Sequence, residues 1–178
     1  MKHSLLTILL LLASANTHAN LIINGSFETG DFTGWTQGGN TNFTGVTNYF
    51  GYASSGSFGT FFGPVGSDGF ISQTISTVAG HLYELSFWLR NEGGNTNDFS
   101  ALVDGNILYS LVNTGPTVYV ETILGFTATS ASTDIQFNFR NDPAFWRFDN
   151  VSVVPEPDSI ALLGLGLAGM GFVRRRKS

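Results

Sequence analysis

The chain has 178 residues, 13 acidic against 8 basic side chains, and no cysteine, which excludes disulfides, thiolate metal sites and cysteine nucleophiles. Five of the eight basic residues fall in residues 1–19 or 155–178, so the stretch 20–154 holds only Arg90, Arg140 and Arg147 against eleven acids. A net charge of −8 without a single lysine leaves no basic surface for a phosphate backbone, so nucleic acid is not an expected partner.

In chain order, Lys2 and His3, an apolar run over 5–12 and Thr17-His18-Ala19 predict a secretory signal over 1–19, cut after Ala19 or, alternatively, Ala15. The 135 residues of 20–154 predict one domain, long enough to bury a core of its own. Strand signals dominate it, and no 12-residue window shows a helical period. Leu21-Ile22-Ile23 predicts a first strand, and Asn24 to Gly34 a turn-rich segment ahead of Trp35. Residues 38–70 are rich in Gly, Asn, Thr and Ser but carry Phe43, Tyr49, Phe50, Tyr52, Phe58, Phe61 and Phe62, which predicts loops and short strands pinned by aromatics; low-complexity disorder is the alternative for 38–56.

Over 82–90, Tyr83, Leu85, Phe87 and Leu89 alternate with Glu84, Ser86, Trp88 and Arg90, which predicts a strand with one core face. Trp88 on the polar face calls for a covering loop or a ligand. Asp104-Gly105-Asn106 between two apolar triplets predicts a hairpin. A further strand alternates Ile135, Phe137 and Phe139 with Gln136, Asn138 and Arg140. In the last one, Trp146 and Phe148 are out of phase with Val151 and Val153, which predicts a β-bulge near Asp149-Asn150. Eight to ten short strands with one buried face imply an all-β sandwich.

At the C-terminus, Pro155-Glu156-Pro157 precedes an uncharged run over 160–173 and then Arg174, Arg175, Arg176 and Lys177. The prolines keep the motif extended. A 14-residue helix reaches about 21 Å, so the run crosses a ~30 Å hydrocarbon layer only with thinning or snorkelling, its cations remaining in the cytoplasm. Gly164-x-Gly166-x-x-Gly169 matches a dinucleotide fingerprint but lacks a strand-turn-helix frame and a downstream acid.

Catalytic signals are weak. His81, the one histidine of 20–154, sits in a Gly80-His81 turn with no nucleophile motif near it, and zinc would need His or Cys clusters that are absent. Among eleven acids no pair stands out by spacing for glycoside hydrolysis.

The tail resembles the PEP-CTERM sorting signal, with Pro155, Glu156 and Pro157 as the motif, a transmembrane helix and Arg174, Arg175, Arg176 and Lys177 as the basic end. That resemblance implies an exosortase as processing partner, transient membrane attachment through the tail, and delivery to the cell surface or outside. The domain resembles jelly-roll carbohydrate-binding modules of the CBM4/9 type in Asn24-Gly25-Ser26-Phe27-Glu28, Ser72-Gln73-Thr74-Ile75, residues 80–88 and Phe148-Asp149-Asn150-Val151-Ser152-Val153. Such modules lay their first and last strands side by side and often hold a structural calcium there. In this chain that site maps onto Glu28 and Asp149, which also read as ordinary surface acids. No other cofactor is implied. A sugar site would combine Trp88, Glu84 and Arg90 with Gln136, Asn138 and Arg140 if the two strands are neighbours, a flat ring beside groups suited to hydroxyls. The alternative for Trp88 is packing under the aromatic loop. The expectation is an exported, non-catalytic surface or matrix protein that binds polysaccharide, against a purely structural or adhesive protein, or a glycan-active hydrolase or lyase.

Overall fold

The computed structural model describes residues 19–156; the predicted signal segment before Ala19, and Pro157, Arg174, Arg175, Arg176 and Lys177 after Glu156, lie outside the described residues. Among the described residues, ten strands form two five-stranded antiparallel sheets and there is no helix, giving the jelly-roll sandwich expected of this stretch. One sheet has β1 (Thr36–Gly39), β4 (Gly69–Ser76), β9 (Ser132–Asp142), β6 (Thr96–Val103) and β7 (Asn106–Val112) in spatial order β1-β4-β9-β6-β7. The other has β2 (Thr44–Thr47), β3 (Gly59–Phe62), β10 (Trp146–Pro155), β5 (Leu82–Asn91) and β8 (Val120–Thr127) in the order β2-β3-β10-β5-β8. No described helix is long and apolar enough to cross a membrane.

Strict alternation puts every second residue of β5 and β9 between the sheets. The core is chiefly aromatic: Phe62 stacks on Phe139 at 3.8 Å, and Phe148 contacts Phe137 at 4.7 Å and Phe87 at 5.6 Å. Face-offset and edge-on packing of this kind adds to the burial term, so a fully buried ring such as Phe148 contributes about 3–5 kcal/mol relative to alanine. The hairpin at Asp104-Gly105 joins β6 to β7 with both residues at positive φ, as a two-residue primed turn requires. The predicted bulge is present: pairing of β10 with β5 slips between Asp149 and Ser152, and Asn150 has φ 50°.

Leu21-Ile22-Ile23 is not a strand. The side-chain amide of Gln73, buried at the end of the core, takes both backbone groups of Ile23, accepting from its N–H at 2.7 Å and donating to its C=O at 3.0 Å. It also donates to the C=O of Gly34 at 2.9 Å. An amide side chain thus satisfies backbone that a ladder would otherwise pair. Phe27, wholly buried, stacks on Trp35, whose indole N–H reaches the C=O of Asn24 at 3.1 Å, and the turn-rich segment is closed.

Candidate functional site

The two halves of the predicted sugar site are not brought together. Glu84, Trp88 and Arg90 on β5 and Gln136, Asn138 and Arg140 on β9 all point outward, as their parity predicts, but β5 and β9 belong to opposite sheets. Their outer faces look in opposite directions, so the six side chains cannot share one ligand. Parity fixes which face a side chain takes; it carries no information about which strand lies alongside.

The β5 face is covered where β10 adjoins it, at Arg147 and Asp149. Trp88 is half-buried, flanked in register by Asp149 on β10 and Glu121 on β8. Beside it Arg147 is 4% exposed, its guanidinium lying 3.3 Å from the centre of the Tyr52 ring and donating to Glu92 at 2.9 Å. Tyr52 in turn packs edge-on against Phe61 and Tyr49, and the Tyr119 hydroxyl donates to the Tyr52 C=O, burial pushing that phenol's pKa up. The segment around Tyr52 thus lies on this face, over Arg147 and Asp149. Glu84 lies farther along, between Val154 and Gly125.

Glu28 and Asp149 converge on that same loop as acceptors of N–H groups. Asp149 Oδ2 accepts from the Ser54 N–H at 2.7 Å, the Ser54 hydroxyl at 3.0 Å and the Ser55 N–H at 3.3 Å, while Oδ1 accepts from the Asn150 N–H at 2.7 Å. Glu28 Oε1 accepts from the N–H of Ser57 and of Phe58, both at 2.9 Å. A calcium ion needs about six to eight oxygens with lone pairs facing it. Here Asp149 Oδ2 and Glu28 Oε1 are taken up by N–H and O–H donors, and among the described residues no group of three His, Cys, Asp or Glu side chains is placed to hold a metal ion. As placed, the two carboxylates anchor the loop. Burial raises the Asp149 pKa, and its hydrogen bonds oppose that shift.

The outer face of the β1-β4-β9-β6-β7 sheet is chemically different. Its central row runs Gly38, Phe70, Asn138, Ser100 and Ser110 across all five strands, with Thr36, Ser72, Gln136 and Leu102 one row away and Arg140 beside Asp98 on the other side. Phe70 is half-buried, and its ring lies over Gly38, where a Cβ would overlap it. Next to the ring, Gln136 donates to Asn138 Oδ1 at 2.7 Å and Asn138 donates to Ser100 Oγ at 3.1 Å. Arg140 is held by Asp142 Oδ2 through Nε at 3.1 Å and Nη2 at 2.8 Å. Asp98 has its pKa raised by burial and then by Asp68, with Arg140 opposing. A ring bordered by ordered amides, a guanidinium and a carboxylate can stack against an apolar sugar face and exchange hydrogen bonds with its hydroxyls.

Sequence reasoning missed Phe70, Asp98 and Ser100. The signal for Phe70 is parity: it alternates with buried Ile71, Gln73 and Ile75, but the segment before residue 70 reads as loop. A separate cleft of about 170 Å³ opens beside β7 and β8, lined by Leu89, Tyr109, Leu111, Val120 and Trp146 among others. That is below the roughly 300 Å³ at which ligand pockets begin. Of the tail motif, Pro155 ends β10 opposite Tyr83, and the Glu156 N–H donates to the Leu82 C=O at 3.0 Å.

Two antiparallel sheets packed face to face, with an aromatic and amide row on one outer face, form a jelly-roll. Residues 19–145 match the model of the carbohydrate binding domain, so the chain belongs to the CBM4/9 carbohydrate-binding family, and residues 153–177 match the PEP-CTERM protein-sorting motif. No curated protein matches the chain. Among solved structures, TmCBM61 in complex with β-1,4-galactotriose is 21% identical at TM-score 0.59, over 78% of this chain and 99% of that one. The CBM22-1 xylan-binding domain of Paenibacillus barcinonensis Xyn10C is 18% identical at TM-score 0.51, over 74% and 91%. A Stig cyclase, Fisc from Fischerella sp. TAU, is 19% identical at TM-score 0.59, over 78% and 97%. At such identities the likeness is one of fold, and it extends to binding modules and cyclases alike.

Proposed function

We propose that the protein is exported, is processed at its C-terminal tail by an exosortase, and acts at the cell surface or outside as a non-catalytic polysaccharide-binding module. In this reading a signal over 1–19 and the tail over 155–178 address the chain, and the domain over 20–154 works. Pro155, Glu156 and Pro157 are the sequence read by the sorting enzyme, and Arg174, Arg175, Arg176 and Lys177 fix its orientation in the membrane. Polysaccharide lies along the outer face of the β1-β4-β9-β6-β7 sheet, stacked on Phe70 and hydrogen-bonded by Gln136, Asn138 and Arg140. The observation that carries this reading is the row in which Phe70, Asn138 and Ser100 stand side by side on three adjacent strands. Trp88, Glu84 and Arg90 lie on the opposite sheet and take no part in binding in this account, and no metal ion is needed.

The test is affinity electrophoresis of the purified domain through gels containing different polysaccharides. Phe70→Ala is expected to weaken the retardation about tenfold, a loss of roughly 1.4 kcal/mol within the range of one aromatic contact, without lowering the melting temperature. Trp88→Ala is expected to retain it. Binding abolished by Trp88→Ala and untouched by Phe70→Ala would reverse the assignment of faces; release of reducing ends from any polysaccharide would show an enzyme instead.

A further inference from the structure

The sorting motif is not on a free tail. Its match begins at Val153, which is wholly buried in the core, and the strand carrying it continues through Pro155. Both sides of this strand end are occupied. On one side Val153 donates its N–H to Asn20 Oδ1 and accepts from the Leu21 N–H, both at 2.9 Å. On the other, Val154 is in register with Glu84, and the Glu156 N–H donates to the Leu82 C=O at 3.0 Å. Backbone groups alternate along a strand, so Pro155 presents its nitrogen to the side of Asn20, where the missing N–H costs no bond to β5. The proline therefore does not stop the pairing, and the sheet runs on to Glu156.

A peptidase that binds an extended substrate uses the substrate's own N–H and C=O groups, as strand addition does. In the folded domain the Glu156 N–H is already committed to β5. Tyr83, next to Leu82 and opposite Pro155, is buried, stacked on Phe126 at 5.5 Å, with its hydroxyl accepting from the Val78 N–H at 2.9 Å, so the partner strand is anchored in the core. We propose that sheet pairing closes the Pro155-Glu156 motif in the folded domain, and that the sorting enzyme takes the chain only when residues 154–156 have come away from β5. Folding and processing then compete for the same three residues. This rests on the reading of the tail as an exosortase substrate.

The experiment is pulse-labelling of the full chain in a strain that carries the sorting enzyme, with loss of the tail followed by mass spectrometry. Six Gly/Ser residues inserted between Val154 and Pro155 free the motif from the sheet, and this variant is expected to be processed several-fold faster than the parent. The same six residues inserted between Ser130 and Ala131, in the turn before β9, are expected to leave the rate unchanged. Processing of the first variant at or below the parental rate, or equal acceleration by both insertions, would overturn the masking. If the parent keeps its tail, or Glu156→Ala loses it as fast as the parent, the sorting reading itself fails, which is a distinct result.

Discussion

Replacing Asp149 by alanine removes one carboxylate that holds four hydrogen bonds, and the size of the loss depends on which part of that interaction matters. Burial raises the pKa of this group although its hydrogen bonds act to lower it, so desolvation of the charge outweighs what the bonds return to it. The charge itself therefore adds little net stability. The loss comes from the donors: in the variant the N–H groups of Ser54 and Asn150, both half-buried, have no acceptor, whereas Ser55 is exposed and turns to water. At about 1–3 kcal/mol for each stranded buried donor, two donors give roughly 3 kcal/mol, allowing for some relaxation of the loop. For a domain of this size that is a fall of about 10 °C in melting temperature. Circular dichroism melts of parent and variant, each with excess chelator and with excess calcium, measure it. The parent is expected to melt at one temperature in both solutions. A parental midpoint that drops by several degrees on chelation, or a variant that melts with the parent, would refute the loop-anchor reasoning.

Asp98, whose pKa is raised, costs the fold stability while it is ionised, and the cost is relieved as pH falls through its folded pKa toward the ordinary carboxylate range near 3.8. Asp98→Asn is therefore expected to melt at or above the parent at pH 7, with the difference closing toward pH 4; a variant less stable at pH 7 would contradict this. Glu92→Gln leaves the nearly buried Arg147 without its charged partner and is expected to cost about 3 kcal/mol in urea unfolding, whereas Arg147→Met, which removes the buried cation, is expected to cost less than 1 kcal/mol. The reverse order would show that the stack of Arg147 on Tyr52 outweighs the ion pair. Asn91, fully buried, donates to the C=O of Thr114 and Gly115 and accepts from the Gly93 N–H and the Asn141 amide; Asn91→Ala is expected to destabilise by about 3 kcal/mol and to expose the 113–117 loop to proteolysis first.

What the sequence made legible followed from local periodicity. Alternation over 82–90 and 135–140 gave the facing of β5 and β9, Asp104-Gly105-Asn106 gave the hairpin, and the phase slip between Phe148 and Val151 gave the bulge. The composite sugar site failed because sandwich pairing joins strands far apart in the chain, β4 with β9 and β5 with β10, so that two outward faces can lie on opposite sides of the molecule. The first strand failed because the side chain of Gln73, fifty residues away, took the backbone of Ile23. The anchoring of the loop by Glu28 and Asp149 has no spacing signature, since a carboxylate meeting backbone N–H groups can come from any position. Phe70 was readable in principle, one residue out of phase with Ile71, but lay at the edge of a stretch whose glycines and asparagines hid its strand.

On the proposed function, polysaccharide meets the face on which Phe70, Asn138 and Ser100 form a row. Titration of the isotopically labelled domain with the polysaccharide that retards it most, followed by amide NMR shifts, tests this most directly. Shifts are expected to concentrate at residues 70–72, 98–102 and 136–140. Shifts concentrated instead at Trp88, Glu84 and Arg90, or none with any polysaccharide, would contradict it.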